Sequence, residues 1–292
     1  MKKIIYDLIN KLGYRIENKR KIEQAEMIFL NKFNIKGNLD LFFNCRKYIL
    51  KLNEKFKNLT LVAHKDGFFV SFLDLVIYVE SADEFFILTE VFVENEYNFI
   101  TNSKSIVIDI GANIGVSSLF FSKLNYVEKI YAFEPVKGTF EQAQYNLSLN
   151  NKIHKVEWIK NIGLGKEDYR DTFKYNKDSK GKVGVRSKLS SNSEKAVETE
   201  VQICDASIEI SKILNDIKDK KIILKIDCEG AEYEIFDNIY KSGVINQVDV
   251  ILLEWHDRGS QLIEKILLDS GFEIISKNIC PISGIVYAFK KP

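Results

Sequence analysis

The sequence predicts an α/β fold: a doubly wound, mostly parallel sheet with an antiparallel last strand, preceded by a helical and small β extension. Three observations carry this. After Lys104 short β-rich runs alternate with helix-like stretches. Several of those runs, KSIVIDI, KIILKID and VDVILLEW among them, show no polar alternation, as expected of strands covered by helices on both faces. The series then closes on FEIISKN and GIVYAFKK, a hairpin-like pair joined through ICPIS.

The elements follow in order. Residues 1 to about 57 place apolar side chains at helical intervals, Ile4, Leu8 and Leu12, then Ala25, Phe29 and Phe33, which predicts helices packed on the body or on a second copy. LTLVAHKDGFFVSFLDLVIYVE alternates and carries Asp-Gly, the signature of a small antiparallel element. ADEFFILTEVFVENEYNFI has three- and four-residue apolar spacing and reads as a helix leading into the first core strand. KSIVIDI, KIYAFEP, KVEWI, KIILKID and VDVILLEW are strands one to five, with VSSLFFSKL and TFEQAQYNLSLNN as helices between the first three. Residues 165–200 are polar, Lys- and Ser-rich, and read as a long loop that is either functional or disordered. The chain divides into an extension, 1–100, and a main domain, 101–292.

Composition narrows the function classes. The 292 residues are 46% hydrophobic and 28% charged, which suits a globule with a sizeable core. Forty-two basic against 41 acidic residues leave a formal charge of +1, which disfavours a nucleic-acid partner. Cys45, Cys204, Cys228 and Cys280 are widely spaced and read as reduced thiols rather than a disulfide framework or zinc site. Asp7 and Asn10 interrupt the apolar start, and no run reaches the roughly 18 apolar residues of a membrane span. The expected location is cytoplasmic.

Four strand ends carry chemistry. IVIDIGANIGVSSLFF closes the first strand with Asp109 and turns through Gly111 and Gly115, a G-x-x-x-G spacing unlike the G-x-G-x-x-G of dinucleotide sites. Gly111 lets a ligand approach the backbone, and Gly115 lets the next helix start close to the strand. Asp109 suits a positively charged ligand, although a glycine turn chosen for packing alone remains open. The second strand ends in Glu134, 25 residues on, where a carboxylate can accept both hydroxyls of a ribose. The fourth strand ends in Asp227, followed by Glu229 and Glu232 beside Gly230, a cluster that asks for a cation or a proton-transfer task. Acids at a helix N-terminus account well for Glu232 and Glu234, and less well for Asp227 at the end of an apolar strand. The fifth strand delivers Glu254, Trp255, His256 and Asp257, and His256 is either a proton acceptor near neutral pH or an exposed loop histidine.

IDIGANIGVSSLFF, AFEP, LKIDCEGAEYEIF and LLEWHD, in that order and spacing, resemble the FkbM family of S-adenosylmethionine-dependent methyltransferases. The resemblance runs from about Glu90 to the C-terminus and includes EVFVENEYNF, with Tyr97 at the matching place. It implies a Rossmann-like class I methyltransferase sheet. It also implies an S-adenosylmethionine site (product S-adenosylhomocysteine) at Asp109, Gly111, Asn113 and Gly115, with Glu134 on the ribose. Asn161 and Ile162 would border the adenine, Asp227 and Glu229 would face the methyl-donor end, and Glu254 with His256 would flank the acceptor.

The expected reaction is O-methylation of a sugar, glycan or similar small-molecule scaffold. His256 or Asp227 is expected to act as base, with Glu254 orienting. A divalent metal stays open through Asp227, Glu254 and Asp257, and no metal ligand is assigned. The rival readings are a non-catalytic partner in a glycan-modifying complex and an NAD-dependent dehydrogenase. A homodimer through the N-terminal helices is also expected. Lys174, Lys177, Lys180, Lys182, Arg186 and Lys188 either meet an acidic acceptor or form a solvated face.

Overall fold

A computed structural model describes residues 11–12, 19–150, 153–176 and 196–291. The helix expected around Ile4 and Leu8, and Lys177, Lys180, Lys182, Arg186 and Lys188, lie outside the described residues. Three helices open the described chain, α1 (Lys19–Leu30), α2 (Leu39–Asn44) and α3 (Arg46–Lys55). A three-stranded antiparallel sheet follows, β1 (Thr60–His64), β2 (Gly67–Phe72) and β3 (Leu75–Val79). The first hairpin turns on Lys65-Asp66, and Gly67 is the first residue of β2. A Cβ on Gly67 would sit 2.0 Å from the Val79 carbonyl oxygen, so the glycine of the Asp-Gly pair serves close strand packing rather than the turn itself. The second hairpin turns on Leu73-Asp74, both at positive φ, as a type I′ turn requires.

Helix α4 (Ala82–Thr89) starts at Ser81, whose hydroxyl accepts the Glu84 amide, while the Glu84 carboxylate reaches back to the Glu80 amide. Beyond Thr89 the helix widens to a π turn over Glu90–Glu94 and stops at Asn95, which is left-handed at φ 56. This swing carries Glu96 and Tyr97 back towards the central sheet.

The central sheet holds seven strands: β4 (Ser105–Ile110), β5 (Val127–Phe133), β6 (Val156–Lys160), β10 (Lys221–Ile226), β11 (Val250–His256), β12 (Phe272–Cys280) and β13 (Ser283–Lys290). Their order is β12-β13-β11-β10-β4-β5-β6; β6, β5, β4, β10 and β11 are parallel, and β13 runs antiparallel to both neighbours. The fold is therefore the expected doubly wound one, and strand order reverses between β4 and β10. Helices α5 (Val116–Ser122), α6 (Lys137–Leu149), α7 (Ala206–Leu214), α8 (Glu232–Lys241) and α9 (Gln261–Asp269) complete it.

Residues 165–200 differ from the expected loop. Tyr169–Tyr175 (β8) pairs antiparallel with Val197–Asp205 (β9), and β9 pairs parallel with the short Gly163–Gly165 strand (β7). Tyr169, Phe173 and Tyr175 alternate with charged and polar residues and pack on Val136, Val201 and Ile203. That period-two pattern was present in the sequence but was masked by its high charge.

Two apolar cores flank the sheet. One joins Phe42, Ile49, Phe68 and Phe85 of the N-terminal layers to Val107, Ile223 and Leu252; the other joins Ile106, Ile108, Leu224 and Leu253 to Phe236 and Ile263. The extension thus supplies one cover of the central sheet. Asn146 of α6 and Asn150, the residue that caps it, fasten it: their amides pair with the backbone of Tyr78 and Val76 on the edge of β3, and Asn146 also reaches the Ile114 carbonyl.

Candidate active site

A cavity of about 320 Å³ opens at the carboxyl edge of the sheet, over the switch between β4 and β10. Gly111, Asn113, Glu134, Asp227, Glu229, Glu254 and His256 line it. Strand parity brings the acidic end together: Asp227, Glu254 and His256 continue the sheet face of Ile223, Lys225 and Leu252, the face covered by the N-terminal layers.

Four expected residues stand elsewhere. Asp109 is fully buried behind the turn; its Oδ2 accepts the hydroxyls of Ser117 and Ser118 at 2.6 and 2.7 Å, and its Oδ1 lies 3.2 Å from Lys225 Nζ. The positive charge this aspartate suits is therefore a side chain of the protein itself. Gly115, at φ +85, packs against Ala143 of α6. Asn161 donates to the Glu134 and Pro135 carbonyls, and Ile162 packs into the core, so Gly163 and Leu164 form the wall at that end. Gly111 does lie at the cavity, but the backbone approaching it is the chain's own: a Cβ there would fall 1.8 Å from the Asp227 carbonyl oxygen.

Glu134 is 6% exposed. Its Oε2 accepts the Asn113 amide at 3.0 Å and its Oε1 the Val136 amide at 2.9 Å. Burial raises its pKa and these two hydrogen bonds oppose the rise, leaving it pushed up to about 7.

Around His256 the ring is gripped from behind by Glu232, a fully buried residue that the sequence reads either as a member of the acidic cluster or as a helix-end acid. Nδ1 donates to Glu232 Oε1 at 2.9 Å, and the same carboxylate accepts the Cys228 and Gly230 amides. Nε2 faces the cavity, 3.5 Å from Glu254 Oε1 and 3.8 Å from Glu229 Oε2. Burial lowers the imidazole pKa, but the hydrogen bonds to Glu232 and Glu254 and the charges of Glu229 and Asp227 outweigh it and push it up to about 12. His256 is thus a cation at neutral pH. The expected role of base does not suit it, because the surrounding carboxylates hold its proton.

The carboxyl groups shift the other way. Burial, then neighbouring acids, pushes Glu90 up to about 10 and Glu96 and Glu229 up to about 8. Glu254 is raised by burial and by Asp227, against the pull of His256. Asp227 Oδ2 accepts the Tyr97 hydroxyl at 3.0 Å. Glu90, Glu96 and Lys225 escaped sequence reasoning: the first two lay in a segment read as a helix and as part of the family resemblance with no site role given to them, and Lys225 in an apolar strand. Period-two parity along KIILKID would have placed Lys225 beside Asp227.

Among the described residues, ligand-type atoms of Asp227, Glu229 and His256 lie within 4.8 Å of one another, and these are the residues that would hold a metal ion. The expected set of Asp227, Glu254 and Asp257 does not converge in this way. The His256 imidazolium already places a positive charge among the acids.

Residues 109–274, more than half of the chain, match the model of the methyltransferase FkbM domain. The protein belongs to the FkbM methyltransferase family. It is 26% identical over 219 residues to Methyltransferase 1 of Beauveria bassiana (strain ARSEF 2860), covering 69% of this chain and 87% of that protein. It is 27% identical over 217 residues to Methyltransferase sdnD of Sordaria araneosa, covering 65% and 82%. A solved structure of methyltransferase FkbM from Methylobacillus flagellatus KT overlaps 99% of this chain and 70% of its own, with a TM-score of 0.45 at 14% identity. Membership makes the protein a methyltransferase and sets aside the dehydrogenase and non-catalytic readings. No helix among the described residues is long and apolar enough to cross a membrane.

Proposed function

We propose that this FkbM-family protein transfers a methyl group from S-adenosylmethionine to a hydroxyl of a sugar, glycan or similar small-molecule scaffold. One observation carries the reading: Glu134, buried at the cavity wall beside the Gly111 turn, is anchored by one amide on each oxygen. Its remaining lone pairs suit a vicinal diol such as a ribose. When bound, the donor supplies an electrophilic methyl on a sulfonium. The protein's residues align and desolvate the acceptor, which is the main requirement for an already activated methyl group.

On the acceptor side, Glu254 takes the hydroxyl proton. Its raised pKa brings a carboxylate closer to the operating pH, where a general base works best. Asp227, held on one oxygen by Tyr97, orients the acceptor through the other. His256 keeps its proton and holds Glu254 and Glu229 in place.

Calorimetric titration with S-adenosylhomocysteine, on wild type and Glu134→Ala, tests the donor half. Binding that weakens in the variant supports it, and no binding to wild type overturns it. Transfer of labelled methyl to a panel of sugars and glycosides tests the acceptor half. The expected product is an ether, stable to alkali; an alkali-labile ester or an N-methyl product would refute the hydroxyl reading.

A further inference from the structure

Lys225 is 1% exposed and is the register partner of Asp109 on the adjacent parallel strand. Both sit on a sheet face otherwise given to Val107, Ile223 and Leu252. Pairing alone does not account for them there, because a buried ion pair can often be replaced by apolar residues with no loss of stability. Lys225 does more than pair. Its Nζ donates to the Gly111 carbonyl at 2.7 Å and lies 3.4 Å from the Ile110 carbonyl and 3.9 Å from Asp227 Oδ2. The Tyr97 ring covers it, with the ring centroid 5.3 Å away.

The contacts divide into two sets. Without the lysine, Asp109 would keep the two serine hydroxyls on Oδ2, while its buried Oδ1, 3.2 Å from Lys225 Nζ, would lose its counter-charge. The Gly111 carbonyl takes its side-chain hydrogen bond from Lys225. That carbonyl belongs to a residue at φ +79, in the turn that lines the cavity between β4 and β10. The Ala112 N–H of the same peptide donates to the Phe133 carbonyl at 3.0 Å, and the lysine, reaching up from the adjacent strand, holds the carbonyl end, so the plane at this flexible glycine is fixed from both sides.

We infer that Lys225 is a positioning residue for the methyl-donor site: it locks the Gly111 turn from beneath and ties it to Asp227, the carboxylate at the acceptor end. The inference rests on the donor reading given above. It assigns Lys225 a role in affinity separate from its role as counter-ion to Asp109.

The test is calorimetric titration with S-adenosylhomocysteine on the full chain, with melting temperatures taken in parallel. Lys225→Met strands the Asp109 charge and is expected to lower both the melting temperature and the affinity. The neutral pair Asp109→Asn with Lys225→Met removes that stranded charge. It is expected to regain most of the melting temperature while remaining at least about tenfold weaker in binding, because the Gly111 carbonyl still lacks its donor. A neutral pair that binds as wild type does would overturn the inference and reduce Lys225 to a counter-ion. A neutral pair that does not fold would also overturn it, making the lysine a determinant of the fold. Absence of binding to wild type would overturn the donor reading itself, an outcome distinct from both.

Discussion

Replacing Glu232 by Gln probes the charge arrangement at its root. One carboxylate serves three partners: Oε1 accepts His256 Nδ1, the Cys228 amide and the Gly230 amide, and Oε2 accepts the Gly230 amide at 2.9 Å. A glutamine oxygen can stand in for Oε1. Its NH₂ must then face the Gly230 N–H, donor against donor, and the imidazolium loses its nearest negative charge. Breaking a buried pair in this way costs about 3 to 5 kcal/mol. At roughly 2 to 4 °C per kcal/mol for a domain of 150–250 residues, the lower figure lowers the melting temperature by about 6 to 12 °C. The sign of the pH dependence follows as well. His256 is raised above its unfolded value, so its contribution is fully present below about pH 6.5 and is lost as pH rises towards about 12. The variant sheds the His256 proton more readily, so its deficit is larger at pH 6 than at pH 9. Scanning calorimetry at the two pH values reads both effects. A melting temperature within 2 °C of wild type at pH 6, or a deficit that widens with pH, would refute this account of His256.

Three further outcomes are expected. Glu90, Glu96 and Glu229 have folded pKa values raised above their unfolded ones, so wild-type stability should fall as pH climbs from about 4.5 to about 8; Glu229→Gln should flatten that slope in urea titrations, and an unchanged slope would count against the acidic cluster. Gly111→Ala places a Cβ 1.8 Å from the Asp227 carbonyl oxygen at positive φ, and should cost more than about 3 kcal/mol in denaturant unfolding; a loss under 1 kcal/mol would mean that the turn yields. Glu254→Gln should lower kcat by roughly a hundredfold or more while leaving S-adenosylhomocysteine affinity within about twofold, and a fall in KM alone would remove Glu254 from the proton transfer.

Much of the site was legible because strand ends and glycine turns are local signals. Glu134, Asp227, Glu254 and His256 were each placed by a strand whose apolar run announced where it would stop. The roles of Asp109 and His256 were not legible in the same way, since each depends on a residue brought in from another strand or helix. Asp109 reads as a ligand contact until β10 pairs with β4 and sets Lys225 beside it. His256 reads as a base until α8 brings Glu232 behind its ring. The β8–β9 pairing stayed hidden for another reason: a polar strand on a small sheet carries too weak an alternation to stand out from a charged loop.

By itself the sequence determined the strand order's raw material, the glycine turn, the acids at the strand ends and the family, because these follow from periodicity and from motifs a few residues long. Only the tertiary structure decided which charges meet. Ionisation depends on burial and on close neighbours, and those neighbours come from distant stretches of the chain, 130 residues apart in the hydrogen bond from Tyr97 to Asp227.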